Sequence, residues 1–253
     1  MENKNYSLGL VSVSFRKHSP REIVEAAAAA GLSCIEWGSD VHAPCLDRER
    51  LLEIVALQEE FGLRCSSYGT YFRLGQTPLS ELPDYIAAAK LLGTNILRLW
   101  CGTKSGAEFS DEEREAFFDE CRRAAAIARE ENVILCMECH VKTFTQRLED
   151  TLALMVAVDD PHFRMYWQPF QWQTPEENLV YAEALAPLSY HIHVFQWKDR
   201  LRFPLADGIA EWQGYLEKFP TPRTLLLEFM PDDLITTLPA EAEALRAIIG
   251  GNR

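Results

Sequence analysis

Two short stretches of this 253-residue chain each set one glutamate at the end of an apolar run: "VILCMEC" carries Glu138 and "TLLLEF" carries Glu228. An ionised carboxylate is rarely buried unless a cation neutralises it, so an acid in that position implies a partner. A third stretch, "HIHV", offers His191 and His193, which strand alternation puts on one face. His193, nearer the end of the run, is the better ligand, and the deeper His191 is the better core residue. Two carboxylates and an imidazole meeting at one point form a donor set for Mn2+, Mg2+, Co2+ or Zn2+. The bland alternative pairs each glutamate with a lysine or arginine. Two such acids delivered by separate strands favour the functional reading.

The stretch "MYWQPFQW" adds two neutral amides, Gln168 and Gln171, where another apolar run stops. A glutamine carbonyl is an acceptable ligand for a hard cation. Other strand ends supply Glu36, His42, Arg73, Lys104, His140 and Arg202, candidates for gripping a substrate. Trp37, Trp100, Trp167 and Phe195 are candidate pocket walls, with Trp100 counted among the substrate contacts. Cys136 and Cys139 form C-x-x-C, but residues three apart on a strand face opposite ways, which argues against a shared metal or disulfide.

These residues need elements to carry them, and the sequence supplies a recurring unit. "EIVEAAAAAGLSCIEW", "LLEIVALQEEFGLRCSSY", "YIAAAKLLGTNILRLW" and "CRRAAAIAREENVILCMEC" each read helix, then Gly or Asn, then apolar strand. Gly31, Gly62, Gly93 and Asn132 stand where a helix would end on a left-handed residue. Ser19–Glu22, Ser110–Glu113 and Thr174–Glu177 have capping-box spacing. Strands are expected at about 8–14, 34–37, 64–68, 95–100, 133–138, 163–167, 189–194 and 224–228. Eight strands alternating with helices predict an α/β fold, a single (β/α)8 TIM barrel over 1–253, whose active site lies at the strand C-termini. A doubly wound open sheet would carry a glycine-rich phosphate turn after the first strand, and "SVSFRKHSP" has none.

The net charge of −13 argues against nucleic acid. The N-terminal stretch has no signal-peptide pattern, no run reaches spanning length, and seven scattered cysteines fit reduced thiols. The expectation is a cytoplasmic protein with a small-molecule carbohydrate substrate, no membrane partner, and room for homo-oligomer formation.

The stretches "AGLSCIEWGSDVHAP", "ILCMECH", "HIHVFQWKD", "PLADGIAEW" and "LLLEF" resemble the sugar-phosphate isomerase/epimerase group of xylose isomerase-like barrels, relatives of ketose 3-epimerases and inosose dehydratase. The resemblance implies one divalent cation held by Glu, Asp, His and Glu from strands five to eight. Glu138, His193 and Glu228 match that pattern. Its usual Asp-x-x-His on strand six reads Gln168-Pro-Phe-Gln171 here. With Gln168 as fourth ligand the formal ligand charge falls from −3 to −2, which implies weaker binding and a stronger Lewis acid. The implied chemistry is metal-dependent proton abstraction next to a carbonyl of a sugar, sugar phosphate or polyol, through an enediolate, with Glu138 and Glu228 as the catalytic pair. Proton return to the other face gives epimerisation, return to the neighbouring carbon gives isomerisation, and loss of hydroxide gives dehydration. A catalytically silent, metal-free sugar-binding barrel is the alternative. An apurinic endonuclease-like nuclease would need more His, Asp and Glu ligands than the chain offers.

Overall fold

The computed structural model describes residues 6–250. Its strands are β1 (Ser7–Val11), β2 (Cys34–Gly38), β3 (Arg64–Leu74), β4 (Ile96–Cys101), β5 (Ile134–Glu138), β6 (Phe163–Trp167), β7 (Ser189–Val194), the short β8 (Gln196–Lys198) and β9 (Leu201–Phe203), and β10 (Thr224–Leu227). Eight of them close a barrel in the order β1-β10-β7-β6-β5-β4-β3-β2, and every neighbouring pair is parallel. Helices α1 (Pro20–Ala29), α2 (Arg48–Phe61), α3 (Leu82–Leu92), α4 (Asp111–Glu130), α5 (Leu148–Val158), α6 (Pro175–Leu185), α7 (Ile209–Glu217) and α8 (Leu238–Gly250) follow the barrel strands in turn. The expected α/β barrel is the fold. Among the described residues no helix is long and apolar enough to cross a membrane.

Local chemistry explains the helix boundaries. Ser19, Ser110 and Thr174 each accept from the backbone N–H three residues on, while Glu22, Glu113 and Glu177 reach back, completing all three capping boxes. Gly62 and Gly93 turn α2 and α3 off at φ 66° and 86°, and Asn132 after α4 sits at φ 54°.

Two apolar layers result. A large outer core lies between helices and strands and holds Trp37, Trp167 and Cys139. A small inner cluster of Val11, Cys34, Ile96, Cys136, Tyr166 and Leu226 fills the barrel beneath its mouth. Cys136 and Cys139 thus face opposite ways, and all seven cysteines are free. Trp37 and Trp167 do not wall a pocket: Trp37 donates to Gln58, and Trp167 packs edge-on against Trp212, Tyr215 and Phe219.

Three boundaries differ from the sequence expectation. The first strand stops at Val11, where the chain turns into a short 3-10 segment, Ser12–Phe15, that lets the Ser12 hydroxyl accept from the Gly38 N–H. The third strand runs on to Leu74 because a register shift between Gly69 and Arg73 lets it stay paired with β4. Beyond β7 an antiparallel hairpin, β8–β9, stands outside the barrel sheet.

Candidate functional site

Alternation along each strand selects what enters the barrel mouth. On β5 the face that carries Cys136 inward also carries Glu138. On β10 Leu226 faces inward, and Glu228 follows one residue past the strand with its N–H donated to the Val194 carbonyl at 2.9 Å. On β7 the same rule brings in His191 and, one layer higher, His193. The His193 Nδ1 atom faces three oxygens: Gln168 Oε1 at 3.1 Å, Glu138 Oε1 at 3.2 Å and Glu228 Oε2 at 3.5 Å. Donor atoms of Glu138, His193 and Glu228 all lie within 4.8 Å of one another. Gln168 joins them in a fixed orientation. Its Nε2 donates to the Cys139 carbonyl at 2.9 Å, which turns its own carbonyl oxygen toward the imidazole.

Glu36 and Arg98 add charge around this group. His193 Nε2 lies 3.4 Å from Glu36 Oε2, so an N–H there is taken by Glu36 and Nδ1 is left as the donor atom for a cation. Arg98, buried on β4, stands between Glu36 at 3.5 Å and Glu138 at 3.4 Å and also donates to the Thr70 carbonyl at 3.1 Å. Gly69 makes room for that contact, since a Cβ there would come within 2.6 Å of Glu36 Oε1. The Ser67 hydroxyl sits 2.9 Å from both Glu36 Oε2 and the Tyr166 hydroxyl. Trp100 Nε1 donates to Glu138 Oε2.

Three carboxylates against one guanidinium leave two negative charges in excess if the imidazole is neutral. The titration of the group reflects that excess. Burial disfavours the His193 cation, yet Glu228 and Glu36 beside it raise the imidazole to about 10. Burial would likewise raise Glu36, but His193 and Arg98 outweigh it and hold that carboxyl at about 2. Burial of Glu138 is overcome by Arg98 and His193, leaving it well below the usual carboxylate range. Glu228 is the exception. Burial, with repulsion from Glu138 and Glu36, pushes it up to about 7 against the pull of His193 and Arg98. Its Oε2 is buried with no hydrogen-bond donor.

This donor set fits a divalent cation. One imidazole nitrogen, two carboxylates and an amide carbonyl converge, an unsatisfied buried oxygen is among them, and the charge deficit is two. Glu138, Gln168, His193 and Glu228 are the residues that could hold the ion.

Above the group opens a cavity of about 300 Å3. Trp100, His140, Gln171 and Glu228 line it, together with Arg16, Tyr71, Trp172, Trp197 and Phe229, which the sequence reading did not single out. Arg16 is held at its edge by Asp40 at 2.7 Å. Glu36 lies below the cavity rather than on its wall. Arg73 stacks on Trp100 at 4.5 Å and donates to the Gly102 carbonyl at 2.9 Å, so it supports the wall from behind. Arg202 does the same against Trp197 and Phe229 while bonded to Asp233. Two further expected contacts, His42 and Lys104, are held away from the cavity altogether. His42 is buried between the Ser12 hydroxyl and the His18 carbonyl, both at 3.2 Å, and Lys104 pairs with Glu113 at 2.9 Å.

Residues 24–246 match the family model described as xylose isomerase-like TIM barrel. The chain belongs to that family. Among curated proteins it is similar to a 3-dehydroshikimate dehydratase from Bacillus anthracis, 24% identical over 205 residues, covering 74% of this chain and 70% of the relative. Among solved structures it resembles the probable 3-DHS dehydratase AsbF of Bacillus anthracis, with a TM-score of 0.78 at 20% identity over 95% of this chain and 98% of that one. It also resembles D-psicose 3-epimerase from Clostridium cellulolyticum H10, with a TM-score of 0.69 at 13% identity over 94% and 96% of the two chains. The IolI protein, solved with a bound zinc atom, superposes at a TM-score of 0.75 with 12% identity over 97% and 98%. At these identities the structures speak for the fold.

For this member of the xylose isomerase-like family, the most informative residue missed in the sequence is Arg98. Its signal was present: "ILRLW" sets one charge inside an apolar strand, as "ILCME" does. A buried guanidinium needs an anion just as a buried carboxylate needs a cation. Reading the two strands together would have paired them.

Proposed function

We propose that this chain is a metal-dependent enzyme that removes a proton from the carbon next to a carbonyl of a small polyhydroxylated substrate, with Glu228 as the base. The observation that carries this reading is the asymmetry of the two catalytic-pair glutamates. Glu138 is tied to Arg98 and Trp100, whereas Glu228 has a buried oxygen without a donor and is free to take a proton. A divalent cation held by Glu138, Gln168, His193 and Glu228 would supply electrophilic polarisation of the substrate carbonyl.

The protein's own groups then account for the rest. Glu228 takes the C–H proton, and the electron pair moves into the carbonyl system. Glu36 holds His193 by its Nε2 side, and Arg98 with Trp100 fixes Glu138, so the ligand set stays in place while Glu228 exchanges its proton. With one free base, the outcome best supported is dehydration of a β-hydroxy ketone. The enolate electrons return, the C–O bond breaks, and the departing hydroxide takes the abstracted proton from Glu228 to leave as water. The likeness to a 3-dehydroshikimate dehydratase supports the same outcome. Epimerisation is the second reading. It is favoured by Glu138 and Glu228 flanking one imidazole nitrogen at 3.2 Å and 3.5 Å, the geometry of a two-base exchange.

The test follows C–H exchange with deuterated solvent and the absorbance of a conjugated product across ketoses and cyclic β-hydroxy ketones. Exchange followed by a rise in absorbance supports dehydration, and exchange with an inverted centre supports epimerisation. Glu228→Gln should lower either by roughly a thousandfold. Wild-type protein loaded with Mn2+ that exchanges no proton in any of these compounds would overturn the proposal.

A further inference from the structure

The cavity above the metal group does not end at its aromatic wall. A second cavity of about 290 Å3 adjoins it, and five residues are common to both: Pro169, Phe170, Gln171, Trp172 and Trp197. The far side of the second cavity is formed by Gln173, Asn178, Phe195, the β8 residues Gln196 and Lys198, and the acidic Asp199 and Glu211. The hairpin outside the barrel sheet therefore has a place in the fold's chemistry. Its first strand walls a chamber next to the candidate active site.

The character of that wall is specific. The side chains of Gln171, Gln173 and Gln196 make no hydrogen bond within the described chain. The Gln173 carbonyl oxygen and the Trp197 indole nitrogen are buried without partners. A buried amide oxygen or indole N–H without a partner costs free energy unless something bonds to it, and these two border the cavity. Trp172 exposes 47% of its surface and lies tilted against Phe170, ring centres 4.9 Å apart, so an apolar ring is open to solvent beside the amides. Gly208 at the foot of β8 has no side chain where a Cβ would overlap the Gln196 amide. Glutamine at 196 is thus accommodated by a glycine in the "PLADGIAEW" loop. Indole faces for C–H surfaces and open amides for hydroxyls are the means by which proteins bind uncharged sugar rings.

We infer that the substrate is longer than one ring: a second, uncharged sugar occupies the adjoining cavity while the reacting unit lies over Glu138, His193 and Glu228. This rests on the proposed reaction for the position of the reacting unit, but not for the existence of the second site. Gln171, at the strand-six position where the family resemblance implies a histidine, belongs to the shared wall between the two rings. The amide pair of "MYWQPFQW" thereby divides its work. Gln168 faces the cation site and Gln171 faces the glycosidic junction.

Affinities for D-fructose and for turanose, maltulose and isomaltulose, which carry a glucosyl ring on different hydroxyls of fructose, test this on the Mn2+-loaded protein by calorimetry, alongside solvent-deuterium exchange. At least one disaccharide should bind about tenfold or more tighter than fructose. In Gln173→Ala and in Gln196→Ala the ratio of disaccharide to fructose affinity should fall several-fold toward one. A ratio near one in the wild type, or one untouched by both substitutions, overturns the second site. A larger gain from a para-nitrophenyl group than from a glucosyl ring overturns the sugar in favour of an aromatic group. Exchange with monosaccharides and no disaccharide preference leaves the proposed reaction standing and removes only the subsite. Disaccharide preference without exchange does the reverse.

Discussion

His191 and His193 occupy the same face of one strand, two residues apart, and their surroundings make them opposites. His191 lies in the lower layer, with its ring nitrogens near the Tyr190 and Ser66 carbonyls at 3.0 and 3.2 Å and the Tyr166 ring edge-on at 5.4 Å. Burial there pushes its imidazole down to about 4. One layer up, His193 meets Glu36, Glu138 and Glu228 and rises to about 10. Residue type and strand parity are identical. What differs is the layer: two positions along β2 and β5 the inner cysteine gives way to glutamate, and past the end of the adjoining β10 Leu226 gives way to Glu228. A metal site in this barrel is therefore a property of a layer rather than of a histidine.

The largest expected effect breaks the upper layer. His193→Asn should weaken Mn2+ binding at least about a hundredfold and abolish proton exchange. His191→Asn should leave Mn2+ affinity within a few-fold of wild type. Equal losses of metal in the two variants, measured by calorimetry, would erase the distinction between the layers.

A medium effect is electrostatic and shows in the metal-free protein. Glu228 at about 7 instead of 4.5 stabilises the native state below about pH 4.5 and loses that contribution as pH rises through 7. His191 at about 4 instead of 6.5 contributes stability above about pH 6.5 and loses it as pH falls through 4. Each amounts to roughly 3 kcal/mol, and between about pH 4.5 and 6.5 the two slopes oppose. Denaturation curves of Glu228→Gln should gain stability with pH relative to wild type across that window, and those of His191→Gln should lose it. Parallel profiles for both variants would contradict these assignments.

The smallest effect concerns the fourth ligand. Gln168→Asp adds a negative charge to the donor set and should tighten Mn2+ binding by about tenfold, at the cost of the bond to the Cys139 carbonyl. Unchanged or weaker affinity in a titration would mean that Gln168 serves only to hold His193.

The same comparison shows what the sequence could disclose. Strand parity and helix caps were legible, so the barrel, Glu138, His193 and Glu228 could be read from "ILCME", "HIHV" and "LLLEF". Position along the strand, not parity, separated His193 from His191, because depth in the barrel follows from it. Arg98 carried an equally clear signal, a lone charge in an apolar run, but it lies two residues before its strand's last apolar position rather than at the tip. The remaining differences between expected and observed placement involve reach. Lys104 and Arg202 have long, flexible stems, and their heads went to Glu113 and Asp233, partners set by tertiary packing. His42 sits on a loop whose turn back toward Ser12 has no periodicity to announce it. The β8–β9 hairpin spans only three residues a strand, too short for an alternation pattern to stand out.

The central claim is that a divalent cation replaces two protons in the upper layer. Calorimetric titration of Mn2+ into chelator-treated protein at pH 7, in two buffers of different ionisation enthalpy, tests it most directly. The expected result is one ion per chain with release of between one and two protons, drawn from His193 and Glu228, and a smaller release in Glu228→Gln. Absence of saturable binding, or binding that displaces no proton, would contradict the account.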